Sequence, residues 1–116
     1  MSGPSEKQIE NQILNWLGWK NIYAWKVKTT ATYSKRLGRF LKPDKLYRTG
    51  ISDIIGILPN GRLLAIEVKS LKGRPQENQV VFMNEIKARG GLAFIARSVE
   101  DVEYHLESYT KHSGAV

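Results

Sequence analysis

The sequence predicts an α/β domain, with elements in the order αβββαβ around a central mixed sheet flanked by helices. Three observations carry that expectation. Ile9, Ile13, Trp16 and Leu17 recur at helical spacing behind a capping sequence. Two apolar runs, 51–58 and 63–70, meet at Pro59-Asn60-Gly61 in the manner of a hairpin. A second helical run opening at Pro75 leads directly into a short buried strand.

Taken in order, Ser5 and Gln8 fit a capping box at the start of the first helix, and Gly18 is expected to end it. Glu10 lies on the flank of that helix's apolar stripe. It is either a carboxylate at the edge of an amphipathic helix or an acid reaching under the helix toward a metal site. Residues 22–28 alternate and are rich in β-formers, so they form a strand. The runs 51–58 and 63–70 are apolar on both faces and belong at the centre of the sheet. Pro75 suits the first turn of the second helix, which carries Phe82, Met83 and Ile86 inward and stops at Gly90-Gly91. Leu92 to Ala96 reads as a buried strand. Ser98 can cap a last helix through Val102, Leu106 and Tyr109. Its outer face would hold Glu100, Asp101, Glu103 and Glu107, acids that repel phosphate. Trp16, Trp19, Tyr23 and Trp25 are anchors for either core packing or a dimer surface, with core packing the preferred expectation.

The chain has 116 residues, enough for one domain with a single core over 1–116, and residues 1–4 and 111–116 are expected to fray. It contains no cysteine, so thiolate metal sites are excluded, and with only His105 and His112 a histidine-rich zinc site is not expected. No apolar run approaches a membrane span and no signal-peptide pattern opens the chain, so a soluble, non-secreted, cytoplasmic protein is the default.

The formal charge is +7, with a pI near 9.8, an excess that favours a polyanionic partner and nucleic acid first. Much of it is local. From Lys26 to Arg48 come eight basic residues against Asp44 alone, with Tyr33, Phe40 and Tyr47 interleaved. A solvated loop would account for the charges. The spaced aromatics favour nucleic acid, because rings stack on bases while cations hold phosphates. Lys35, Arg36, Arg39, Lys42, Lys45 and Arg48 are the candidate contacts, joined by Lys72 and Arg74.

The central hairpin admits two registers. A two-residue Asn60-Gly61 loop would put Asp53 and Glu67 on opposite sheet faces. A three-residue Pro59-Asn60-Gly61 loop would set Asp53 directly across from Glu67, with Cβ atoms about 5 Å apart. Residue chemistry favours the second. Pro59 suits the first central position of a type I turn, and Gly61 supplies the left-handed residue that follows. Lys69, two residues beyond Glu67, then shares their face.

Such a cluster matches the needs of phosphodiester hydrolysis: an activated water, relief of charge on the phosphoryl oxygens, and a stabilised leaving alkoxide. A hard dication bound by carboxylates supplies all three. Mg²⁺ or Mn²⁺ could be held by Asp53, Glu67 and the Val68 carbonyl, with water completing the shell. Lys69 would orient the water or neutralise developing charge. Gln79 could bond the water, Lys69 or the phosphate. Singly, each has a plain structural account: Asp53 as a turn cap, Glu67 with Lys69 as an ion pair, Gln79 as a helix-start polar residue. Together, unpaired on apolar strands, they would be expensive.

The ordered set Glu10, Gly50-Ile51-Ser52-Asp53, Glu67-Val68-Lys69, Gly73-Arg74, Gln79 with Phe82, and Gly90-Gly91 before Asp101-Val102 resembles the PD-(D/E)XK nuclease superfamily. More narrowly it is similar to the small stand-alone VRR-NUC family of phages and bacteria, and the resemblance covers almost the whole chain. It implies a restriction-endonuclease-like core, with Asp53, Glu67, Val68 and Glu10 at the metal and Lys69 and Gln79 beside them. Ser52 stands where the superfamily often has proline, and no Val-Arg-Arg run is present. The resemblance also implies a homodimer acting on branched DNA such as four-way junctions, with no organic cofactor and no membrane, in a bacterial or phage-infected cell. The leading expectation is thus a Mg²⁺- or Mn²⁺-dependent, structure-specific endodeoxyribonuclease. Its alternatives are a non-catalytic nucleic-acid-binding module on the same fold and an RNA-processing nuclease.

Overall fold

A computed structural model of the chain describes residues 3–27, 33–40 and 48–113. Helix α1 (Glu6–Trp19) starts as its sequence predicts. The Ser5 hydroxyl accepts the Gln8 backbone amide at 3.1 Å, and the Gln8 side-chain Oε1 accepts the Ser5 backbone amide at 2.9 Å. The helix does not stop at Gly18. It runs on to Trp19, and the chain reverses at Asn21, whose φ of 59° is the left-handed conformation that closes helix ends. The Ile22 amide then bonds back to the Leu17 carbonyl at 2.9 Å.

Strand β1 (Tyr23–Lys26) follows, shorter than the predicted 22–28. Within the basic run a two-stranded ladder, β2 (Tyr33–Ser34) with β3 (Arg39–Phe40), appears where a loop was expected. The central hairpin is β4 (Ile54–Ile57) and β5 (Leu63–Val68). Helix α2 (Glu77–Ala88) is capped at Gln76, so Pro75 precedes the cap and does not lie in the first turn. Strand β6 (Leu92–Ala96) and helix α3 (Val99–Ser113) complete the chain. The Ser98 hydroxyl accepts the Asp101 amide at 3.2 Å, as the predicted cap requires.

The main sheet has the order β1-β4-β5-β6. β1, β4 and β5 are successively antiparallel, and β6 runs parallel to β5 after the crossover through α2. The sheet is therefore mixed, with the two most apolar strands at its centre. Strand alternation divides the core into two layers. Ile54, Leu58, Leu64, Ile66 and Val68 pack with Ile9, Ile13 and Leu17 of α1 and Val102 and Leu106 of α3. On the opposite face Ala65 and Ala93 pack under Met83 of α2, with Ile55, Phe82, Ile86 and Ile95 around them.

The hairpin takes the three-residue register. The Leu58 amide donates to the Arg62 carbonyl at 2.8 Å, and the Gly61 amide returns to the Leu58 carbonyl at 2.7 Å. Gly61 has φ 88°, and the Asn60 side chain accepts the Arg62 amide at 3.0 Å. Ile57 consequently pairs with Leu63 and Ile54 with Ile66.

Core packing holds for only part of the aromatic group. Trp16 packs against the core, whereas Trp19, Tyr23 and Trp25 are exposed. Trp19 follows the last buried turn of α1, and Tyr23 and Trp25 project from an edge strand, so no inward position is open to them.

Candidate active site

The register that pairs Ile54 with Ile66 brings Asp53 opposite Glu67 at the next step. Both follow the parity of Ile55 and Ala65, on the α2 face of the sheet, and Lys69 follows just past the end of β5. Two bonds fix Asp53. Its carbonyl accepts the Val27 amide at 2.8 Å, and its Oδ2 accepts the Val68 amide at 2.9 Å. A side chain thus replaces a ladder partner just before β4 begins. Lys69 is fixed by its amide, which donates to the Ala96 carbonyl at 3.1 Å, and its Nζ lies 3.5 Å from Glu67 Oε2.

Glu67 is 1% exposed, and its Oε1 has no hydrogen-bond partner among the described residues. Burial pushes its pKa up to about 7, the neighbouring Asp53 charge adds to the rise, and Lys69 opposes it. One ammonium therefore fails to compensate two facing carboxyls. A small cation would supply what is missing: it would take the orphaned oxygen, separate the like charges and favour the ionised form. The residues present fit a hard dication. Among the described residues no three of His, Cys, Asp and Glu gather into a metal-holding group. Such an ion would rest on Asp53, Glu67, backbone carbonyl and water, a set that suits Mg²⁺.

The other expected residues divide. Glu10 is not gathered with the two acids: α1 packs on the opposite face of the sheet, and Glu10 pairs with Lys26 at 3.5 Å. Gln79 serves the helix start, its Oε1 accepting the Gln76 amide at 2.8 Å, which leaves its NH₂ as the group able to donate elsewhere. Lys72 and Arg74 are exposed on the turn that follows Lys69. Lys35 and Arg36 are exposed between β2 and β3, and Arg39 lies in β3. Arg48 is exposed and lines a cleft of about 870 Å³ with Gln76, Phe82 and Arg89. Lys42 and Lys45 lie outside the described residues. On α3, Glu100, Glu103 and Glu107 are exposed, whereas Asp101 turns back to accept the Arg97 amide at 2.8 Å.

Three features were missed from sequence. Arg97 donates to the carbonyls of Ser70 at 2.5 Å and Gly73 at 2.7 Å, stapling the turn after Lys69 to the end of β6. Ser52, next to Asp53, is fully buried with its hydroxyl unpartnered among the described residues. Gly50, with φ 72°, lies against the first turn of α2, where an added Cβ would meet the Asn78 carbonyl oxygen at 2.3 Å. A glycine three residues before Asp53 was the one available signal, and only for the last feature.

The VRR-NUC domain family matches residues 4–100. A solved VRR_NUC domain is 19% identical with a TM-score of 0.63, the alignment covering 91% of this chain and 99% of that one. A solved VRR_NUC domain protein is 20% identical with a TM-score of 0.59, covering 96% and 92%. Nothing among curated proteins matches the sequence. No helix among the described residues is long and apolar enough to cross a membrane.

Proposed function

The chain belongs to the VRR-NUC family of the PD-(D/E)XK nuclease superfamily, which points to a nuclease-type function, and on that premise we propose that it is a metal-dependent endonuclease cutting branched DNA. The observation that carries this reading is the buried Glu67 carboxyl, facing Asp53, with an oxygen left without a partner among the described residues. In a protein of charge +7, an uncompensated acid pair on the central strands has the character of a cation site serving a polyanionic substrate.

Asp53 and Glu67, with the Val68 carbonyl, would hold the ion. When bound, Mg²⁺ or Mn²⁺ supplies positive charge against the phosphoryl oxygens and acidifies a water. Asp53 presents its carboxyl from a fixed position, because its Oδ2 is bonded to the Val68 amide and its carbonyl to the Val27 amide. Glu67 must lose its proton to act as a ligand, and the sheet around it keeps bulk water away. Lys69, held beside Glu67, brings a fixed ammonium to the charge that develops on the phosphate. Lys72 and Arg74 on the following turn would take flanking phosphates, as would Lys35, Arg36, Arg39 and Arg48. Gln79 could add its NH₂ as a donor. Symmetric cutting of a four-way junction needs two such sites, which a two-fold homodimer would provide.

One observation favours a second reading. Only two carboxyls gather among the described residues, which suits a nucleic-acid-binding module that does not cut. The deciding experiment incubates a labelled four-way junction, a flap, a linear duplex and a hairpin RNA with the protein in Mg²⁺ and in Mn²⁺. Preferential cutting of the branched DNAs, lost with EDTA, is expected. No cutting of any substrate, together with no heat of Mg²⁺ or Mn²⁺ binding by calorimetry, would leave the binding module.

A further inference from the structure

Among the described residues, the face of the sheet that carries Asp53 and Glu67 is covered by a helix, α2, on its β5 and β6 side alone. Strand β1, at the far edge, turns Tyr23 and Trp25 out on the same face, since Tyr23 pairs with Ile57 and Trp25 with Ile55. Tyr23 is 74% exposed and Trp25 41%, and their ring centroids lie 5.4 Å apart at an interplanar angle of 59°. The bond from the Val27 amide to the Asp53 carbonyl sets Val27 beside the acid. Residues on one face of a strand repeat every 7 Å or so, about 6.6–6.8 Å. Trp25 is thus one step, and Tyr23 two steps, along the face from the row holding Asp53 and Glu67.

We propose that Trp25, with Tyr23, is a stacking platform for an unpaired DNA base next to the phosphate at Asp53 and Glu67. This deepens the nuclease reading and rests on it. Rings are sequence-tolerant surfaces for bases, because every base has a π-face. Charge complementarity selects the occupant. In sequence, residues 28–48 carry seven Lys and Arg against one Asp. That excess of positive charge favours a polyanionic strand as the occupant. Paired bases keep their faces stacked inside the helix, so the platform favours DNA opened at a branch, flap or end. It would give this small domain a means of recognising structure without reading base edges.

The test is binding without metal, so that cutting plays no part. A short labelled single strand, its perfect duplex and a flapped duplex are titrated by anisotropy with wild type, Trp25→Ala, Trp25→Phe and Tyr23→Ala. The platform requires Trp25→Ala to weaken single-strand and flap binding by roughly tenfold while duplex affinity stays within about twofold. Trp25→Phe should keep most of the affinity, and Tyr23→Ala should show a smaller loss of the same pattern. Circular dichroism checks folding, and if Trp25→Ala is unfolded the other two variants decide. Equal losses on all three DNAs, no loss on any, or no single-strand binding by wild type would overturn the proposal. So would conversion of a dimer to a monomer by Trp25→Ala in light scattering, which would make the face a contact between copies. Structure-dependent binding by a protein that never cuts defeats the nuclease reading alone. Cutting with unchanged discrimination in the variants defeats the platform alone.

Discussion

The Oδ2 atom of Asp53 accepts the Val68 amide at 2.9 Å, so a side chain just ahead of one central strand completes the hydrogen bonding of the other. Asp53 therefore has a structural duty besides any at a cation. Asp53→Asn keeps an oxygen able to accept that bond, whereas Asp53→Ala leaves a partly buried amide unsatisfied. Urea unfolding should show Asp53→Ala destabilised by about 1–3 kcal/mol, with Asp53→Asn closer to wild type. Both should lose Mg²⁺ binding by calorimetry. Equal stability of the two variants would mean the Val68 bond contributes nothing.

Glu67 sets an unusual pH dependence. Its folded-state pKa of about 7 lies above the ordinary 4.5, so between those values the folded protein holds more proton than the unfolded chain. Stability of the metal-free protein should fall as pH rises from 4.5 toward 7 and level off above. The displacement corresponds to on the order of 3 kcal/mol. Glu67→Gln should flatten that limb and be the more stable protein at alkaline pH. Saturating Mg²⁺ should flatten it as well, because a cation favours the charged carboxyl. Thermal melts across this pH range, with and without EDTA, measure it; a metal-free stability that rises through the window would contradict the burial of an uncompensated acid.

The hairpin register was legible because Pro59, Asn60 and Gly61 are the residues that a three-residue loop with a left-handed third position demands, and because alternation then dictates the face of every later side chain. That alone placed Asp53, Glu67 and Lys69 together. Where tertiary contacts replace local ones, the sequence carries no local signal. Nothing near Asp53 in sequence announces that its side chain will bond Val68 and that β4 will begin only after it. Gly18 carried the expected stop signal, yet Asn21 took the left-handed position. Glu10 was placed by its helical stripe, but the partner it meets, Lys26, comes from a neighbouring strand. Hydrophobicity sent Tyr23 and Trp25 to the core, whereas an edge strand left them in the open.

Lys69 and Glu67 separate binding from chemistry. Their side chains sit at the end of β5 and are 12% and 1% exposed, so neither offers much area to a DNA backbone. Glu67→Ala and Lys69→Ala should each lower single-turnover cutting by a factor on the order of 100 or more. Affinity for the same junction should change by less than about threefold, since the backbone cations supply most of it. Wild-type cutting by either variant would remove both residues from the mechanism.

Lys35 and Arg36 test the basic hairpin directly. They are exposed and join two strands of two residues each, a geometry with little core to disturb. The double reversal Lys35→Glu with Arg36→Glu should leave the melting temperature unchanged. It should weaken DNA binding at low salt and reduce the slope of log affinity against log salt by about 1–2. An unaltered slope would place the DNA-contacting cations elsewhere, with Lys72 and Arg74 next in line.

Gly50 couples the segment that carries Asp53 into β4 to the start of α2. Its φ of 72° is left-handed, and a Cβ there would stand 2.3 Å from the Asn78 carbonyl oxygen and 2.8 Å from the Gln79 amide nitrogen. Gly50→Ala therefore combines a backbone preference of about 1–2 kcal/mol with a clash against helix backbone, which cannot swing aside as a side chain can. The expected loss is about 3 kcal/mol in urea unfolding, well above a surface glycine substitution. Gly38 is the control, because its φ of 66° is similar while nothing among the described residues lies within 4 Å of an added Cβ. Gly38→Ala should show the backbone part alone. If both variants lose the same amount, the contact between Gly50 and α2 carries no energy, and the position of Gln79 relative to Asp53 must be set by other groups.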